Sequence, residues 1–245
     1  MYMISIIIPL FNERENVIHY PADLFPVIDD IGKRSGMGFE FVFVDDGSRD
    51  DTAERLADLK TARSDVTILR HERNRGMGEA IRTGLAASRG DLIITMDADL
   101  TFRPADVAKL IEKYRATGAD CVSGSPYLEK GLMEEVSPSR LLMSRSVNFL
   151  YRLLLGGNIS CVSPIFRLYR RSALDGLKIT SRNFEINAEI ISKLLISRRK
   201  VVEVPVPLLA RRHGSSKINL GKEIGNYLVL LIRIFRIRYL HGEWV

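Results

Sequence analysis

The chain has 245 residues, 46% of them hydrophobic and 27% charged, with a formal net charge of +6 and two cysteines. That length buries a good core in one domain, or in one domain with a small appendage, and the composition excludes low-complexity and repeat architectures. Cys121 and Cys161 lie far apart without metal-ligand spacing, which argues against a disulfide scaffold or a zinc site and fits a reducing compartment.

From the N-terminus the chain runs straight into an apolar strand-like segment, so no signal peptide is expected. Ile4–Ile8, Phe39–Val44, Val66–Leu69 and Asp91–Met96 are short β-branched and apolar runs of the kind that suit a sheet covered on both faces. Helical segments lie between them at roughly 14–34, 51–63, 77–88 and 104–118, the first broken into two pieces by Pro21 and Pro26. A further strand, Cys121–Gly124, follows. This alternation predicts an α/β fold with a mostly parallel sheet flanked by helices and right-handed crossovers.

The second half changes character. Residues 126–138 read as a loop, 139–156 as a helix punctuated by Arg140, Arg145 and Arg152, Phe166–Tyr169 as a short strand, 184–197 as a helix and Lys200–Val206 as another strand. A last helix spans about Gly221 to Leu240. Its apolar run is far below the roughly 20 residues needed to span a bilayer. Interleaved Arg233, Arg236 and Arg238, followed by Tyr239 and Trp244, suit an amphipathic helix lying in a membrane interface; packing on the core or on a partner subunit is the plainer alternative. The expected organisation is a 1–220 domain, divided into a 1–125 half and a 126–220 half, followed by the 221–245 helix. Positive charge gathers between Arg198 and Arg238, which calls for an anionic partner or a solvated surface.

In such a sheet, ligands bind beyond the carboxyl ends of the strands. Pro9–Glu13, Asp45–Ser48, His71–Gly78 and Asp97–Asp99 follow the first four strands and converge on one rim. Asp97 and Asp99 sit one residue apart, so in extended geometry both carboxylates reach one point, where they bind a hard divalent ion and leave positions for water and phosphate oxygens. The plain alternative is capping of the helix that begins at Pro104 by Asp99 or Thr101. Asp46 is placed to accept hydrogen bonds from a nucleobase, and Glu13 to bond a ribose hydroxyl. Each turn alone has a turn-and-cap explanation; three acidic turns after strands of one sheet do not. His71 and His213 read as structural or solvated rather than as bases. Glu185 and Glu189, one helical turn apart, read as a solvated face, with an acceptor-side contact for Glu189 as the alternative.

Pro-Leu-Phe-Asn-Glu, Val-Asp-Asp-Gly-Ser and Met-Asp-Ala-Asp, in this order and spacing, resemble the family 2 glycosyltransferases of the GT-A fold. Arg211-Arg-His-Gly-Ser-Ser-Lys217 after Glu203-Val-Pro205 resembles the R-x-x-G-x-S-K element of dolichyl-phosphate mannose synthases and related polyprenyl-phosphate glycosyltransferases, and Phe166–Arg171 and Gly124–Tyr127 are similar to that group. The resemblance implies that Pro9, Phe11, Glu13 and Asp46 hold the nucleoside. It implies that Asp97 and Asp99 bind Mg²⁺ or Mn²⁺ with the sugar diphosphate. Arg211, Ser216 and Lys217 would close over the diphosphate or the acceptor phosphate, and Arg145 would face the lipid phosphate.

The implied reaction is inverting transfer of a hexose, GDP-mannose favoured, to a polyprenyl or dolichyl phosphate by an enzyme resting on the cytoplasmic membrane face. The alternatives are a UDP-sugar donor, a saccharide acceptor, or a catalytically silent nucleotide-binding protein. A nucleic-acid partner is not expected, since it would leave the clustered aspartates unexplained: without a metal ion they repel phosphate. Pro126, Thr101 and Cys161 to Phe166 depart from the family pattern, the last where relatives read Asp-x-Thr/Ser-Gly-Phe, and bear on which sugar and lipid are used.

Overall fold

The computed structural model describes residues 2–133, 138–156, 159–214 and 220–240. Strand β1 (Met3–Leu10) is followed by three short helices, α1 (Arg14–Val17), α2 (Tyr20–Asp23) and α3 (Phe25–Ser35). Pro21 and Pro26 each sit in the first turn of a new helix, where the missing N–H costs nothing, and Gly36 ends α3 in the left-handed region. The chain then alternates as expected: β2 (Gly38–Asp45), α4 (Thr52–Ala62), β3 (Val66–Arg70), α5 (Met77–Ala87), β4 (Leu92–Thr95), a 3₁₀ turn at Pro104–Asp106, α6 (Val107–Thr117) and β5 (Cys121–Ser125). The remainder comprises α7 (Pro138–Leu155), β6 (Arg167–Arg170), α8 (Arg171–Leu174), α9 (Ile186–Ile196), β7 (Val201–Pro205) and α10 (Leu220–Tyr239).

One seven-stranded sheet runs in the order β3-β2-β1-β4-β6-β5-β7. β1 pairs in parallel with β2 and β4, and β3 with β2, so the turns after these strands emerge on the same edge. Chain order reverses across β1 and β4, which places a switch-point crevice between their two turns. β6 runs antiparallel to both β4 and β5, inserted between strands that precede it in sequence. The sheet is thus mostly parallel with one reversed strand.

The side chains of β1 and β2 divide with the period of two that a strand dictates. Ile4, Ile6, Ile8, Phe41 and Phe43 join one buried cluster with α3, α4 and α6, while Ile7, Val42 and Val44 face Ala80 of α5 on the other face. Gly84 lets α5 lie close to the sheet: a side chain there would collide with Ile7. A third layer forms where α7, α9 and α10 pack through Tyr151, Leu155, Ile191, Leu231 and Ile234, with Tyr151 Oη donating to the Tyr227 carbonyl at 3.0 Å.

Ion pairs tie the layers at positions remote from the rim. Arg63 forks onto Asp29 at 2.8 Å for both bonds and lies over the Phe25 ring. Hydrogen bonds from Arg63 hold Asp29 below the usual carboxylate range, and those from Arg82 do the same for Glu79. Burial alone would raise Glu40, but bonds from Ser5 and from the Arg89 amide and guanidinium overcome it, and its carboxyl too is lowered. Carboxyls whose folded value is depressed add stability above their unfolded value, and that stability drains away as pH falls. We therefore expect the urea midpoint to hold from pH 7 down to about 5 and to fall steeply below the ordinary glutamate value of 4.5. A midpoint unchanged at pH 3.5 would contradict these assignments.

Candidate active site

The turns after β1 and β2 are stitched together at the rim. Asn12 adopts a positive φ of 53°, its side-chain oxygen accepts from the Arg49 amide at 2.7 Å, and its own amide donates to Ser48 Oγ at 2.8 Å. The Glu13 amide donates to Thr52 Oγ1 at 2.8 Å. These bonds fix the backbone from which Glu13 projects, with Oε2 accepting from Asn16 Nδ2 at 2.5 Å. Pro9 lies inside β1, buried and in register with Val44, and Phe11 is half-buried just beyond the strand.

Across the crevice, the Met96 amide donates to the Ile7 carbonyl at 3.0 Å, and the buried Tyr20 hydroxyl donates to the Ala98 carbonyl at 2.7 Å. Burial, then the charges of Glu13 and Asp99, push the Tyr20 phenol well above its ordinary value, so it remains a donor and holds the turn from beneath. Asp99 Oδ1 accepts from the Thr101 amide at 3.1 Å, a local turn that aims Oδ2 into the crevice. Asp97 and Asp99 sense each other's charge: burial first and the Asp99 carboxylate second drive the Asp97 carboxyl well above the usual range, and Arg211 opposes them.

Arg211 is the cation at the centre of this cleft. Its Nε donates to Asp99 Oδ2 at 2.8 Å and its Nη2 to Glu13 Oε1 at 3.0 Å, bridging the turns after β1 and β4. It rides on a segment anchored at one end by the Leu209 amide on the Thr101 carbonyl at 3.0 Å. At the other end the His213 ring stacks on His19 with centroids 4.2 Å apart. His213 thus has a structural place, as does His71. Of the remaining expected site residues, Ser216 and Lys217 lie outside the described residues.

Asp46 is buried and turned inward. Its carboxylate accepts from His71 Nδ1 at 2.7 Å, the Arg75 amide at 2.9 Å and the Gly76 amide at 2.8 Å, while His71 Nε2 meets Thr83 Oγ1 at 2.9 Å. It therefore shapes the 71–78 wall of the cleft from behind. Gly76 takes a φ of 96° there, and the Gly78 amide donates to the Arg182 carbonyl at 2.8 Å.

The wall is buttressed by residues that the helical spacing alone misplaced. Glu189 is not on a solvated face: it is 1% exposed, pairs with Lys193 at 2.7 Å and accepts from the Thr180 and Ser181 amides. Burial alone would raise its carboxyl; the bonds from Lys193 and Ser181 instead hold it below the ordinary value. Glu185 is also buried and accepts from the Arg182 and Asn183 amides at 3.1 and 3.2 Å. Both organise the 178–183 loop that meets Gly78. Periodicity marks a face but not what covers it.

On the far side, Arg145 stands exposed on α7, one residue after Ser144, whose Oγ accepts from Tyr127 Oη at 2.7 Å just beyond β5. Cys161 is buried, and with Ser160 it is held by Glu203, which accepts from the Ser160 amide at 2.7 Å and the Cys161 amide at 3.3 Å. Arg167 is fully buried and donates to the Val162 carbonyl at 2.6 Å and Ser123 Oγ at 3.1 Å. The departure at Cys161 thus falls in a tightly bonded loop.

Residues 5–177 match the family described as Glycosyl transferase family 2. The chain belongs to that family. It is 34% identical over 235 residues to the dolichol-phosphate mannosyltransferase of Pyrococcus furiosus, covering 95% of this chain and 64% of that protein. It is 29% identical over 221 residues to the polyprenol monophosphomannose synthase of Mycolicibacterium smegmatis, covering 87% of this chain and 80% of that one. The chain therefore spans less than two thirds of the Pyrococcus relative. Its fold is similar to that of glucosyl-3-phosphoglycerate synthase from Mycobacterium tuberculosis, solved with Mn²⁺, uridine diphosphate and glucosyl-3-phosphoglycerate. The TM-score is 0.67 at 20% identity, over 97% of this chain and 80% of that one. The expected GT-A architecture is the one observed.

In this family 2 chain the Asp46 cluster is a distinct structural unit. Asp46→Ala removes an acceptor for three donors and takes one of the two hydrogen bonds from the His71 ring, which costs about 3 kcal/mol. The expected result is a lower urea midpoint together with earlier proteolytic cutting within residues 71–78. An unchanged midpoint would show that the loop does not depend on this carboxylate.

Proposed function

We propose that the protein transfers a hexose from a nucleoside-diphosphate sugar to a polyprenyl phosphate at a membrane surface, with GDP-mannose the favoured donor. The observation that carries the reading is the convergence of Glu13, Asp97, Asp99 and Arg211 at the switch point of a family 2 sheet. Two relatives, one a dolichol-phosphate mannosyltransferase and one a polyprenol monophosphomannose synthase, support the acceptor class and the sugar.

The residues present fit a divalent ion. Two carboxylates one residue apart supply hard oxygen donors, and burial with the neighbouring Asp99 charge raises the Asp97 carboxyl, a cost that a divalent cation would relieve. Among the described residues no group of three or more His, Cys, Asp or Glu side chains is arranged to hold a metal, so diphosphate oxygens and water would complete the shell. When bound, Mg²⁺ or Mn²⁺ would neutralise the departing diphosphate as a Lewis acid. The Mycobacterium neighbour, solved with Mn²⁺ and uridine diphosphate, supports a metal of this class.

The chain's own groups do the rest. Glu13 and the turn after β1 hold the ribose, and the 71–78 loop that Asp46 shapes borders the base. A phosphate oxygen of the acceptor attacks the anomeric carbon from the face opposite the diphosphate. A new carbon–oxygen bond forms as the bond to the diphosphate breaks, the nucleoside diphosphate leaves with the electron pair, and configuration inverts. A phosphate monoester has a second pKa of about 6 and is largely ionised at neutral pH, so no strong protein base is required. Arg211, with Ser216 and Lys217 of the same sequence motif, counters the charge that develops on the leaving group, and Arg145 meets the acceptor phosphate. Positioning and electrostatics carry the catalysis.

The lipid acceptor gives the outer helices a purpose. Phe149, Leu150 and Leu153 of α7 and Leu228, Val229, Ile232 and Phe235 of α10 are exposed, and Arg145, Arg152, Arg233 and Arg236 are exposed on the same two helices. No helix among the described residues is long and apolar enough to cross a membrane. An apolar face edged with arginines lies in an interface and draws on anionic headgroups. On this reading the enzyme rests on the cytoplasmic face.

Two experiments test the proposal. A radiolabel assay with polyprenyl phosphate in detergent, Mn²⁺ and a panel of GDP- and UDP-sugars is expected to move label into the organic phase from GDP-mannose, and Asp97→Asn to lower that transfer by about 10³-fold or more. Near-normal transfer in the variant would remove the metal role. In flotation with anionic vesicles, Ile232→Glu with Phe235→Glu is expected to leave a folded protein that no longer floats. Flotation equal to wild type would place the lipid contact elsewhere.

A further inference from the structure

The cleft of this protein already holds a cation, and it is a residue of the chain. Arg211 Nε sits 2.8 Å from Asp99 Oδ2 and Nη2 sits 3.0 Å from Glu13 Oε1. Asp99 Oδ1 is engaged by the Thr101 amide at 3.1 Å, so Oδ2 is the oxygen that faces the crevice. A divalent ion held by Asp97 and Asp99 would claim that same oxygen and would meet the guanidinium at short range, where two positive charges repel strongly. One arriving cation must displace the other.

Several features make displacement feasible. The pair is partly open to solvent, with 21% of the Arg211 and 14% of the Asp99 side chain exposed, so exchange does not strand a buried charge. The segment that carries Arg211 is fastened on either side of it, at Leu209 by the Thr101 carbonyl and at His213 by the ring stacked on His19. Its guanidinium can therefore turn within the cleft while its backbone stays attached. The stack is a light fastening, a ring contact rather than a covalent or buried ionic one.

We propose that Arg211 is a built-in counter-cation, holding Asp99 and Glu13 together while the cleft is empty and giving way to a divalent ion when a nucleoside diphosphate arrives. This rests on the metal-dependent reading above. The diphosphate brings enough negative charge for both cations, so the released guanidinium turns onto the phosphate oxygens. Metal and nucleotide are thereby coupled: each binds weakly alone, and each raises the affinity of the other by the same factor. The exchange discourages capture of free metal ions by a cleft that has no donor sugar to transfer.

The test is Mn²⁺ binding to the full chain, read from the loss of the free-ion electron paramagnetic resonance signal, with and without guanosine or uridine diphosphate. Without nucleotide, Arg211→Gln, which keeps the size and loses the charge, is expected to bind Mn²⁺ about tenfold or more tightly than wild type. His213→Ala, which loosens the segment and leaves the carboxylates alone, is expected to shift affinity in the same direction by less. With nucleoside diphosphate present, the gap between wild type and Arg211→Gln is expected to close or reverse. Equal or weaker binding of Mn²⁺ alone by a folded Arg211→Gln, with nucleotide-dependent binding intact in wild type, overturns the exchange and leaves the metal reading standing. Failure of every protein to bind Mn²⁺ even with nucleoside diphosphate overturns both.

Discussion

Parallel strands deliver their carboxyl ends to one edge, and here that edge carries acids. Glu13 and the Asp97–Asp99 turn leave β1 and β4 side by side at the point where chain order reverses. Packing of the sheet fixes their proximity, and proximity of like charges in a partly dry cleft is costly. The burial and the Asp99 charge that raise Asp97 record that cost, and the reach of Arg211 from a distant segment of the chain partly offsets it. The first half supplies the acids, and the loop after β7 supplies the cation.

The remaining polar groups of the region keep this arrangement from relaxing. Tyr20 props the Ala98 carbonyl, Asp46 ties His71 to the amides of Arg75 and Gly76, and the Glu189–Lys193 pair sets the 178–183 loop against Gly78. Each is buried and bonded to backbone, so each fixes a turn rather than a side chain. The wall of the cleft is rigid for that reason. The segment bearing Arg211 is tied by the Leu208 and Leu209 amides, by the stack of His213 on His19 and by ion pairs from Arg211 to Glu13 and Asp99 that remain partly open to solvent. Rigidity on the donor side and adjustability over the diphosphate suit a transferase that must close on one substrate before meeting the next.

Much of this was legible in the residues. The apolar runs of β1, β2 and β4 are continuous because both faces are covered, and Pro21 and Pro26 mark breaks in the first helical segment, which falls into three helices rather than the expected two pieces. The acidic turns follow directly from where those strands stop. Reversal of β6 was not legible, because a four-residue strand carries no mark of direction. Nor was the burial of Glu189, since charge at helical spacing reads the same whether Lys193 and two loop amides cover it or water does. Asp46 was placed on the correct turn, but the turn's inward side chain depends on amides about thirty residues away. Tyr20 carries no signal of its own, and Asn12 stands in the motif after β1 without a mark of its role, for their partners lie in other turns.

The account turns on whether Asp97 and Asp99 receive a divalent ion together with the donor diphosphate. A crystal structure of the protein with guanosine diphosphate and Mn²⁺, phased to reveal the anomalous scattering of manganese, addresses this directly. The expected result is one manganese peak within ligand distance of Asp97 and Asp99, bridged to the diphosphate, with the Arg211 guanidinium on phosphate oxygens. A diphosphate bound at the rim with no manganese beside these aspartates, or with Arg211 still bridging Asp99 and Glu13, would contradict it.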